Sequence, residues 1–581
     1  MTRATLIPCV VLCAAAISCS GQPKETGSGS GSGDAAFRTI AKDAIDDHVR
    51  RNPSAATDLG IHTYDTQLED VSQTAIAAES KSLAGFRSRV EAIDPSTLSL
   101  DAQLDREQLI HAFDAGILAN DEIRQWAKNP DLYSSVVTNA AYVIMKRPYA
   151  PAANRLKAVI AREERMPGVL DEARRNLSNP PEIYTKIALE QIDGNINFFK
   201  QDLPAAFEDV TDSQLRAAFA KSNDAVIKAL GDYKTYLSNS LLPASKGSFA
   251  FGADIYRRAL AANEMIDVSL DRLLDIAERD RQANESAFQD AAKKIDPSRP
   301  ADQVLADLQK DHPEPSKLLQ TTQDMLDSLR QFIESHRIIA IPGGSPPAQV
   351  KETPPFMRST TSASMDTPGP FETAQLQGRY NMTLPDPSKP KAEQQEFMRQ
   401  WFSAAISNVS VHEVYPGHYV QFLYAKRFPS DVRKVYGANT NIEGWAHYCE
   451  QMMLDQGFHG DDPRYRLAQL QDALLRDVRF IVGIKMHTQG MTAEEATKLF
   501  ETQGHQPAPV ADSEAKRGTA DALYGYYTMG KLMILKLRED YKAKTGASYS
   551  LEGFHDAFIK IGPLPLPLMR RELLGATGDL F

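Results

Sequence analysis

The sequence HEVYPGHYVQ, at residues 412–421, brings two histidines and a glutamate together, and EGWAHYCE follows it at 443–450. Neutral imidazoles and a carboxylate are the usual ligands of a catalytic zinc ion. The two segments therefore predict one Zn²⁺ per chain, bound by His412, His418 and Glu443.

Glu413 directly follows the first predicted ligand. Zinc lowers the pKa of a bound water to about 7 and polarises a scissile carbonyl. We expect Glu413 to act as general base, taking the proton of the attacking water and passing it to the leaving amine.

The spacing of the two histidines conflicts with a regular helix. His418 is six residues after His412, and at about 100° per residue its ring would be turned roughly 240° from the first. Pro416 and Gly417 lie between them and are residue types that break or kink helices. The site therefore requires a bend here. If the helix were straight, His447 would be the better second nitrogen ligand.

Two residues of the second motif are candidates for an outer role. His447 lies four residues after Glu443 and so shares its helix face. We predict that His447 is either a further ligand or a hydrogen-bond partner of the ligands. Glu450, one turn further, is a weaker candidate for the same outer role.

The region after the motifs supplies candidate donors and cations. Tyr524 and Tyr527 lie in LYGYYTMG, and His487 precedes a turn. Each is a candidate donor to the oxyanion of the reaction. Arg479 and Arg517 are candidates to pair with a substrate carboxylate. Tertiary packing or ion pairing is the alternative explanation for each residue.

Helical periodicity dominates residues 37–337 and returns after residue 391. Between them, residues 337–341, 371–376 and 378–384 have strand character. We predict a mainly α fold, a large bilobed helical body with a central cleft and a small antiparallel β-sheet of three to five strands near the metal helix. An irregular proline-rich connection is the alternative to the sheet.

The N-terminus has the pattern of an export signal. An apolar run at 6–17 is too short to span a bilayer, and AISC at 16–19 resembles a lipobox with lipidation at Cys19. We expect a protein anchored by lipid alone to the bacterial cell envelope, facing the periplasm or the outer surface. A plain secretory signal is the alternative.

Cys449 would be the one cysteine of the folded body, and we expect it to be a small buried residue.

The predicted divisions are a lipoprotein signal peptide at 1–19, a flexible Gly/Ser tether at 20–36, an N-terminal helical region at 37–337 and a sheet-plus-helix catalytic region at 338–581, the last two forming one unit.

With 42% hydrophobic and 24% charged residues, the composition is that of a globular protein with a sizeable core. The net charge of −11 argues against nucleic acid as a partner, because phosphate binding needs a basic surface.

The two motifs resemble the patterns H-E-x-x-P-G-H-x-x-Q and E-G-W-A-x-Y-x-E of the bacterial family named domain of unknown function 885. The likeness also covers ATDLGIH at 56–62 and residues 462–568, and so essentially the whole mature chain. It implies a gluzincin-like zinc metallopeptidase with a mainly helical, cleft-bearing architecture, and it implies no particular substrate. His447 departs from the pattern, where an apolar residue such as Leu is expected.

Three functions are compatible with these observations. The first is zinc-dependent hydrolysis of peptide bonds in short or unfolded peptides of the cell envelope. The second is zinc-dependent hydrolysis of a non-peptide amide or an amino-acid conjugate, and the third is a non-catalytic envelope binding lipoprotein. Glu413 favours catalysis, because a structural metal site has no use for an adjacent base. Oligomeric state and the choice between endo- and exopeptidase action stay open at this point.

Overall fold

Helices make up most of the structure. The computed structural model describes residues 31–354, 358, 361–374 and 376–581. Within these ranges, none of the helices combines the length and apolarity needed to cross a membrane. In the described part of the chain, sixteen α-helices precede the sheet: α1 Asp34–Arg51, α2 Pro53–Asp58, α3 Gln73–Glu91, α4 Leu100–Leu118, α5 Gln125–Lys128, α6 Asp131–Met145, α7 Ala152–Glu163, α8 Met166–Asn176, α9 Glu182–Asn197, α10 Leu203–Ala205, α11 Ser213–Tyr236, α12 Leu242–Ala244, α13 Ala253–Glu264, α14 Leu270–Ile295, α15 Ala301–Leu308 and α16 Leu318–His336.

Three short strands and eleven further α-helices follow among the residues that the structure describes. The strands are β1 Gln349–Glu352, β2 Ala363–Asp366 and β3 Arg379–Met382. The helices are α17 Lys391–Met398, α18 Ser403–Glu413, α19 His418–Ala425, α20 Asp431–Val435, α21 Asn439–Asp455, α22 Pro463–Thr488, α23 Ala493–Gln503, α24 Ala508–Ala520, α25 Tyr526–Thr545, α26 Leu551–Ile561 and α27 Leu566–Leu574. The predicted mainly α class is confirmed.

The small sheet has the order β1-β3-β2. β2 pairs with β3 in antiparallel fashion, but β1 pairs with β3 in parallel, so the prediction of an antiparallel sheet is wrong for one of the two pairings. Residues 337–341 and the described part of 371–376 are not strands. Ile338 and Ile339 are instead buried in the core, and this burial accounts for the apolar run in the sequence. The backbone N–H of Ala340 donates to the side chain of Asp556 rather than to a strand.

The N-terminal helices share their core with the region that carries the metal motifs. Phe37 of α1 and Leu109 of α4 belong to the same hydrophobic cluster as Val432 and Val435 of α20. The largest cluster joins the sheet to the helices of the second half. A further cluster lies within residues 133–241. The first helices therefore pack directly onto the second half of the chain.

The predicted signal peptide and Cys19 lie outside the described residues. The predicted tether at 20–36 is described only from residue 31, and α1 begins within it at Asp34. The carboxylate of Asp34 accepts hydrogen bonds from the Ser99 N–H at 2.9 Å and the Ser99 hydroxyl at 2.8 Å, which fixes this end of the segment. Cys449 is free and buried, as predicted.

His62 connects the N-terminal region to the chain that follows β2. Its Nδ1 is 3.2 Å from the Asp65 carboxylate, its Nε2 is 3.4 Å from the Glu372 carboxylate, and its ring stacks on Tyr149 at 3.6 Å. Burial acts to lower the pKa of His62, but hydrogen bonds to Asp65 and Glu372 outweigh it and raise the pKa to about 9. His62 is therefore a cation held between two carboxylates at neutral pH.

Candidate metal centre

The side chains of His412, His418 and Glu443 converge. Glu443 Oε2 is 3.4 Å from His412 Nε2 and 3.2 Å from His418 Nε2. The two imidazoles are nearly perpendicular, with ring centroids 4.9 Å apart. One ligand atom from each of the three residues lies within 4.8 Å of the other two. Both histidines are buried, and Glu443 is partly exposed.

These separations fit a tetrahedral metal ion. Zinc bonds of about 2.0–2.1 Å to imidazole nitrogen and carboxylate oxygen place two ligand atoms about 3.3 Å apart at a tetrahedral angle. The distances of 3.4 and 3.2 Å from Glu443 to the histidines agree with that spacing. Three protein ligands leave the fourth position open, as catalytic zinc sites do.

Residues 414–417 form the bend that the histidine spacing requires. The N–H of Gly417 donates to the Val411 carbonyl at 3.0 Å, which folds the chain back over the end of α18. A Cβ atom on Gly417 would lie 1.8 Å from the His412 carbonyl oxygen. Because only glycine permits this approach, the turn closes tightly and α19 begins with His418 beside His412. The predicted interruption of the helix is confirmed.

The EGWA motif holds this turn and brings a further helix to the site. Trp445 Nε1 donates to the Pro416 carbonyl at 3.0 Å, so the indole fixes the bend between the two histidines. A Cβ atom on Gly444 would lie 2.5 Å from the Cα of Gly530. The backbones of α21 and α25 therefore touch here, and the first turn of α25 lies beside Glu443.

Glu450 is the outer partner of the first histidine. Its Oε1 is 2.6 Å from His412 Nδ1, and the same carboxylate contacts His447 Nδ1 at 3.2 Å and Arg476 at 3.0 Å. A carboxylate on Nδ1 orients an imidazole so that Nε2 faces the metal position. His447 thus contacts Glu450 and does not join the three ligand atoms. Burial lowers the pKa of His447 to about 3, which keeps its ring neutral.

Glu413 is held by the edge strand of the sheet. The backbone N–H of Met365 in β2 donates to Glu413 Oε2 at 2.9 Å. The next residue, Asp366, pairs with Arg147 at 2.7 Å and Lys146 at 3.3 Å, both of which follow α6. The position of the predicted base therefore depends on the N-terminal region. The contacts of Asp366 with Lys146 and Arg147 were not predicted from the sequence, because no local pattern marks a contact between residues more than 200 positions apart.

Tyr527 lies at the edge of the site. Its ring centroid is 6.2 Å from that of His412, and Arg517 Nη2 donates to the hydroxyls of Tyr527 at 3.4 Å and Tyr526 at 3.2 Å. Burial and the nearby Glu443 charge raise the pKa of Tyr527, so its hydroxyl keeps its proton. Tyr526 was not singled out from the sequence. The sequence feature that could have identified Tyr526 is its position directly before Tyr527.

Two other predicted donors have different surroundings. Tyr524 is fully buried, and its hydroxyl lies against Gly518. His487 Nε2 is 2.8 Å from the Gly518 carbonyl, and its ring packs against Phe249 and Phe251. In the described structure, neither residue contacts a ligand side chain. Tyr524 and His487 are therefore packed in the interior, which agrees with the alternative explanation given for them in the sequence analysis.

The two predicted substrate-binding arginines border Tyr527. Arg479 makes two bonds of 2.6 Å to Glu514 and lies 5.0 Å from the Tyr527 ring centroid. Arg517 pairs with Asp521 at 3.0 Å. Both guanidinium groups are therefore close to the candidate metal centre.

The Glu443 carboxylate interacts strongly with both histidines. Burial acts to raise the pKa of Glu443, but the charges of His418 and His412 and their hydrogen bonds lower it well below its usual value. Burial acts to lower the pKa of His412, while Glu443 and Glu450 raise it to about 9. Glu443 is therefore an ionised carboxylate, as a metal ligand must be, whereas His412 holds a proton at neutral pH that a metal ion would displace on binding.

The fold and the three converging side chains define a helical protein with a candidate catalytic metal centre. Over residues 53–573 the chain matches the family described as "Bacterial protein of unknown function (DUF885)". Because the match spans most of its length, the chain belongs to this family, as the motifs predicted. No curated protein matches the chain.

Two solved structures share the fold. A protein of Shewanella oneidensis, described as a "putative lipoprotein of unknown function", is 24% identical with a TM-score of 0.78, and the match covers 93% of this chain and 99% of that one. A protein of Colwellia psychrerythraea, described as a "putative lipoprotein", is 17% identical with a TM-score of 0.78 over the same shares of the two chains. At these identities the likeness concerns the fold alone.

Proposed function

We propose that this protein is a zinc-dependent peptidase. The observation that carries the proposal is the pair of distances, 3.4 and 3.2 Å, from Glu443 Oε2 to the imidazoles of His412 and His418. A set of two nitrogens and one oxygen favours zinc over Mg²⁺ or Ca²⁺, which prefer oxygen ligands alone. When bound there, zinc supplies a Lewis acid and lowers the pKa of water.

Glu413 is assigned as the general base. It follows a ligand directly, and the Met365 N–H uses only its Oε2, which leaves Oε1 to accept a proton from the attacking water. The carboxyl group then returns that proton to the departing amine. Tyr527 is assigned as the donor to the carbonyl oxygen while that atom gains negative charge.

The proposed substrates are short or unfolded peptides. His412 is 6% exposed and His418 is 8% exposed, so a folded protein surface cannot approach the ligand atoms closely. A lipid anchor on Cys19 would hold the enzyme at the cell envelope. That location is supported by the lipobox-like sequence at 16–19 and by the descriptions of the two structural relatives.

The test combines metal analysis with a substitution. Purified protein is expected to hold about one zinc per chain and to cleave a peptide library followed by mass spectrometry. Glu413→Gln keeps the zinc and lowers the cleavage rate by about 10²- to 10⁴-fold, the usual contribution of a general base. Glu396→Gln, at a position 71% exposed on α17, is the matched control and changes neither.

Three outcomes would contradict parts of the proposal. Full cleavage by Glu413→Gln would remove Glu413 from the mechanism. Bound zinc with no peptide cleaved, but with amide conjugates of an envelope extract hydrolysed, would assign the site to a non-peptide substrate. Absence of zinc after folding in zinc-containing buffer would favour a non-catalytic binding lipoprotein.

A further inference from the structure

Three arginines surround the ring of Tyr527. The guanidinium carbons of Arg479, Arg476 and Arg517 lie 5.0, 5.5 and 5.8 Å from its centroid. Such a concentration of cationic groups beside a candidate metal centre favours a substrate with a negative charge close to the bond that is cleaved.

Two of these arginines are occupied by the protein. Arg476 pairs with Glu450 at 3.0 Å and also donates to the Asp472 carbonyl at 2.9 Å. Arg479 makes a two-bond pair with Glu514, and its side chain is 9% exposed. Both guanidinium groups are thus held mainly by contacts within the protein, and Arg476 Nε is buried without a hydrogen-bond partner among the described residues.

Arg517 differs from the other two. Its Nε and Nη2 both donate to a single oxygen of Asp521, at 3.2 and 3.0 Å, and Nη2 also reaches the two tyrosine hydroxyls. Among the described residues, no acceptor lies within hydrogen-bond distance of Nη1 in either Arg517 or Arg479. The side chain of Arg517 is the more exposed of the two, at 20% against 9%. A guanidinium has five N–H donors in a planar fork, so Arg517 keeps donors for a carboxylate from outside.

The distance from Arg517 to the proposed reacting atoms limits the length of chain between them. Arg517 Nη2 lies 3.4 Å from the Tyr527 hydroxyl that is assigned to the carbonyl oxygen. Nη1, which keeps its donors, lies about 2 Å from Nη2, so with a hydrogen bond at each end the span is at most about 11 Å. Extended chain advances about 3.3–3.6 Å per residue, and the carbonyl and carboxylate oxygens add to its length, so one or two residues fit the span and three exceed it.

We propose that Arg517 binds the C-terminal carboxylate of the substrate, and that the protein is therefore a carboxypeptidase that releases one or two residues from the C-terminus. This inference rests on the proposed peptidase function. In the reaction, water adds across the C–N bond: its hydroxyl goes to the acyl carbon, and its proton goes to the nitrogen of the released residue or dipeptide. Glu413 carries that proton.

The experiment compares pairs of peptides of one sequence that end in a free acid or in an amide. The zinc-loaded full chain is expected to cleave the acid about 10- to 100-fold faster, measured as kcat/KM, because the amide removes hydrogen bonds to a charged group. The products are expected to be the last residue or dipeptide. This comparison uses the unaltered protein and does not depend on the folding of a variant.

Two variants then assign the preference to a residue. Arg517→Lys keeps the charge beside Asp521 but loses the planar fork, and it is expected to reduce the acid-to-amide ratio at least fivefold, mainly through KM. Arg279→Lys, at an Arg–Asp pair on the exposed face of α14, is the matched control and keeps the ratio. A reversed result for these two variants would overturn the assignment to Arg517.

The outcomes separate this inference from the function on which it rests. Equal cleavage of acid and amide, or cuts at internal bonds, would overturn the carboxypeptidase inference and leave the peptidase proposal standing. Bound zinc with neither peptide cleaved would overturn both.

Discussion

Gly417→Ala tests whether the turn between the histidines creates the metal centre. The new methyl group would lie 1.8 Å from the His412 carbonyl oxygen and 2.5 Å from that of Val411. Non-bonded carbon and oxygen atoms stay at least about 3.0 Å apart, so the backbone has to move by more than about 1 Å. Zinc ligands tolerate displacements of only about 0.2 Å. The substitution therefore moves His418 out of reach of a shared metal ion.

We expect Gly417→Ala to weaken zinc binding at least about 100-fold, beyond the loss typical of removing an outer partner of a ligand. It should also destabilise the fold by about 1–3 kcal/mol through overpacking. Competition with a chelator measures the affinity, and thermal unfolding measures the stability. The matched control is Gly231→Ala in α11, where an added Cβ meets nothing within 4 Å. Zinc affinity equal to that of the unaltered protein would refute the argument from the turn.

Three further substitutions test other contacts. Glu450→Gln removes the carboxylate 2.6 Å from His412 Nδ1, and it is expected to weaken zinc binding about 10- to 100-fold in a chelator competition. Trp445→Phe leaves the Pro416 carbonyl without its donor, and it is expected to lower the free energy of unfolding by about 1–3 kcal/mol in thermal or denaturant unfolding. His62→Gln removes a cation whose pKa is raised from 6.5 to about 9, and because solvent screens this partly exposed ring, it should destabilise the protein by about 1–2 kcal/mol at pH 6 and much less above pH 9.

The direction of the pH effect follows from the sign of the shift. A raised pKa means that the folded state binds the proton more tightly than the unfolded state. The stabilisation from His62 is therefore complete below pH 6.5 and is lost as the pH rises through about 9. A constant difference in stability between His62→Gln and the unaltered protein from pH 6 to pH 10 would contradict this pH dependence. Unchanged zinc affinity in Glu450→Gln, or unchanged stability in Trp445→Phe, would refute the role assigned to that contact.

The helical class was predictable because apolar residues recur at helical spacing over long segments. Strand predictions were less successful. Residues 379–382 form β3, but the apolar run at 338–341 buries Ile338 and Ile339 without forming a strand. A short apolar run indicates burial, whether or not its backbone pairs with another strand. The parallel pairing of β1 with β3 was also beyond sequence reasoning, since register depends on how distant segments pack.

The candidate site was predictable where its residues are close in sequence. His412, Gly417 and His418 lie within seven positions, so the need for a bend followed from helix geometry alone. Tyr524 and Tyr527 could not be distinguished in this way, because both lie beside glycines in one short segment. The packing of Gly444 against Gly530 decided that Tyr527 lies beside His412.

The sequence by itself determined the candidate ligand set and the family, because these depend on side-chain chemistry and spacing within a few helical turns. Only the tertiary structure decided that Glu450, not His447, contacts His412, and that β2 holds Glu413. It also distinguished Arg517 from Arg479, because Arg517 is more exposed and contacts one carboxylate oxygen rather than two. Such contacts join residues far apart in the chain, and their geometry is fixed only when the helices and the sheet pack together.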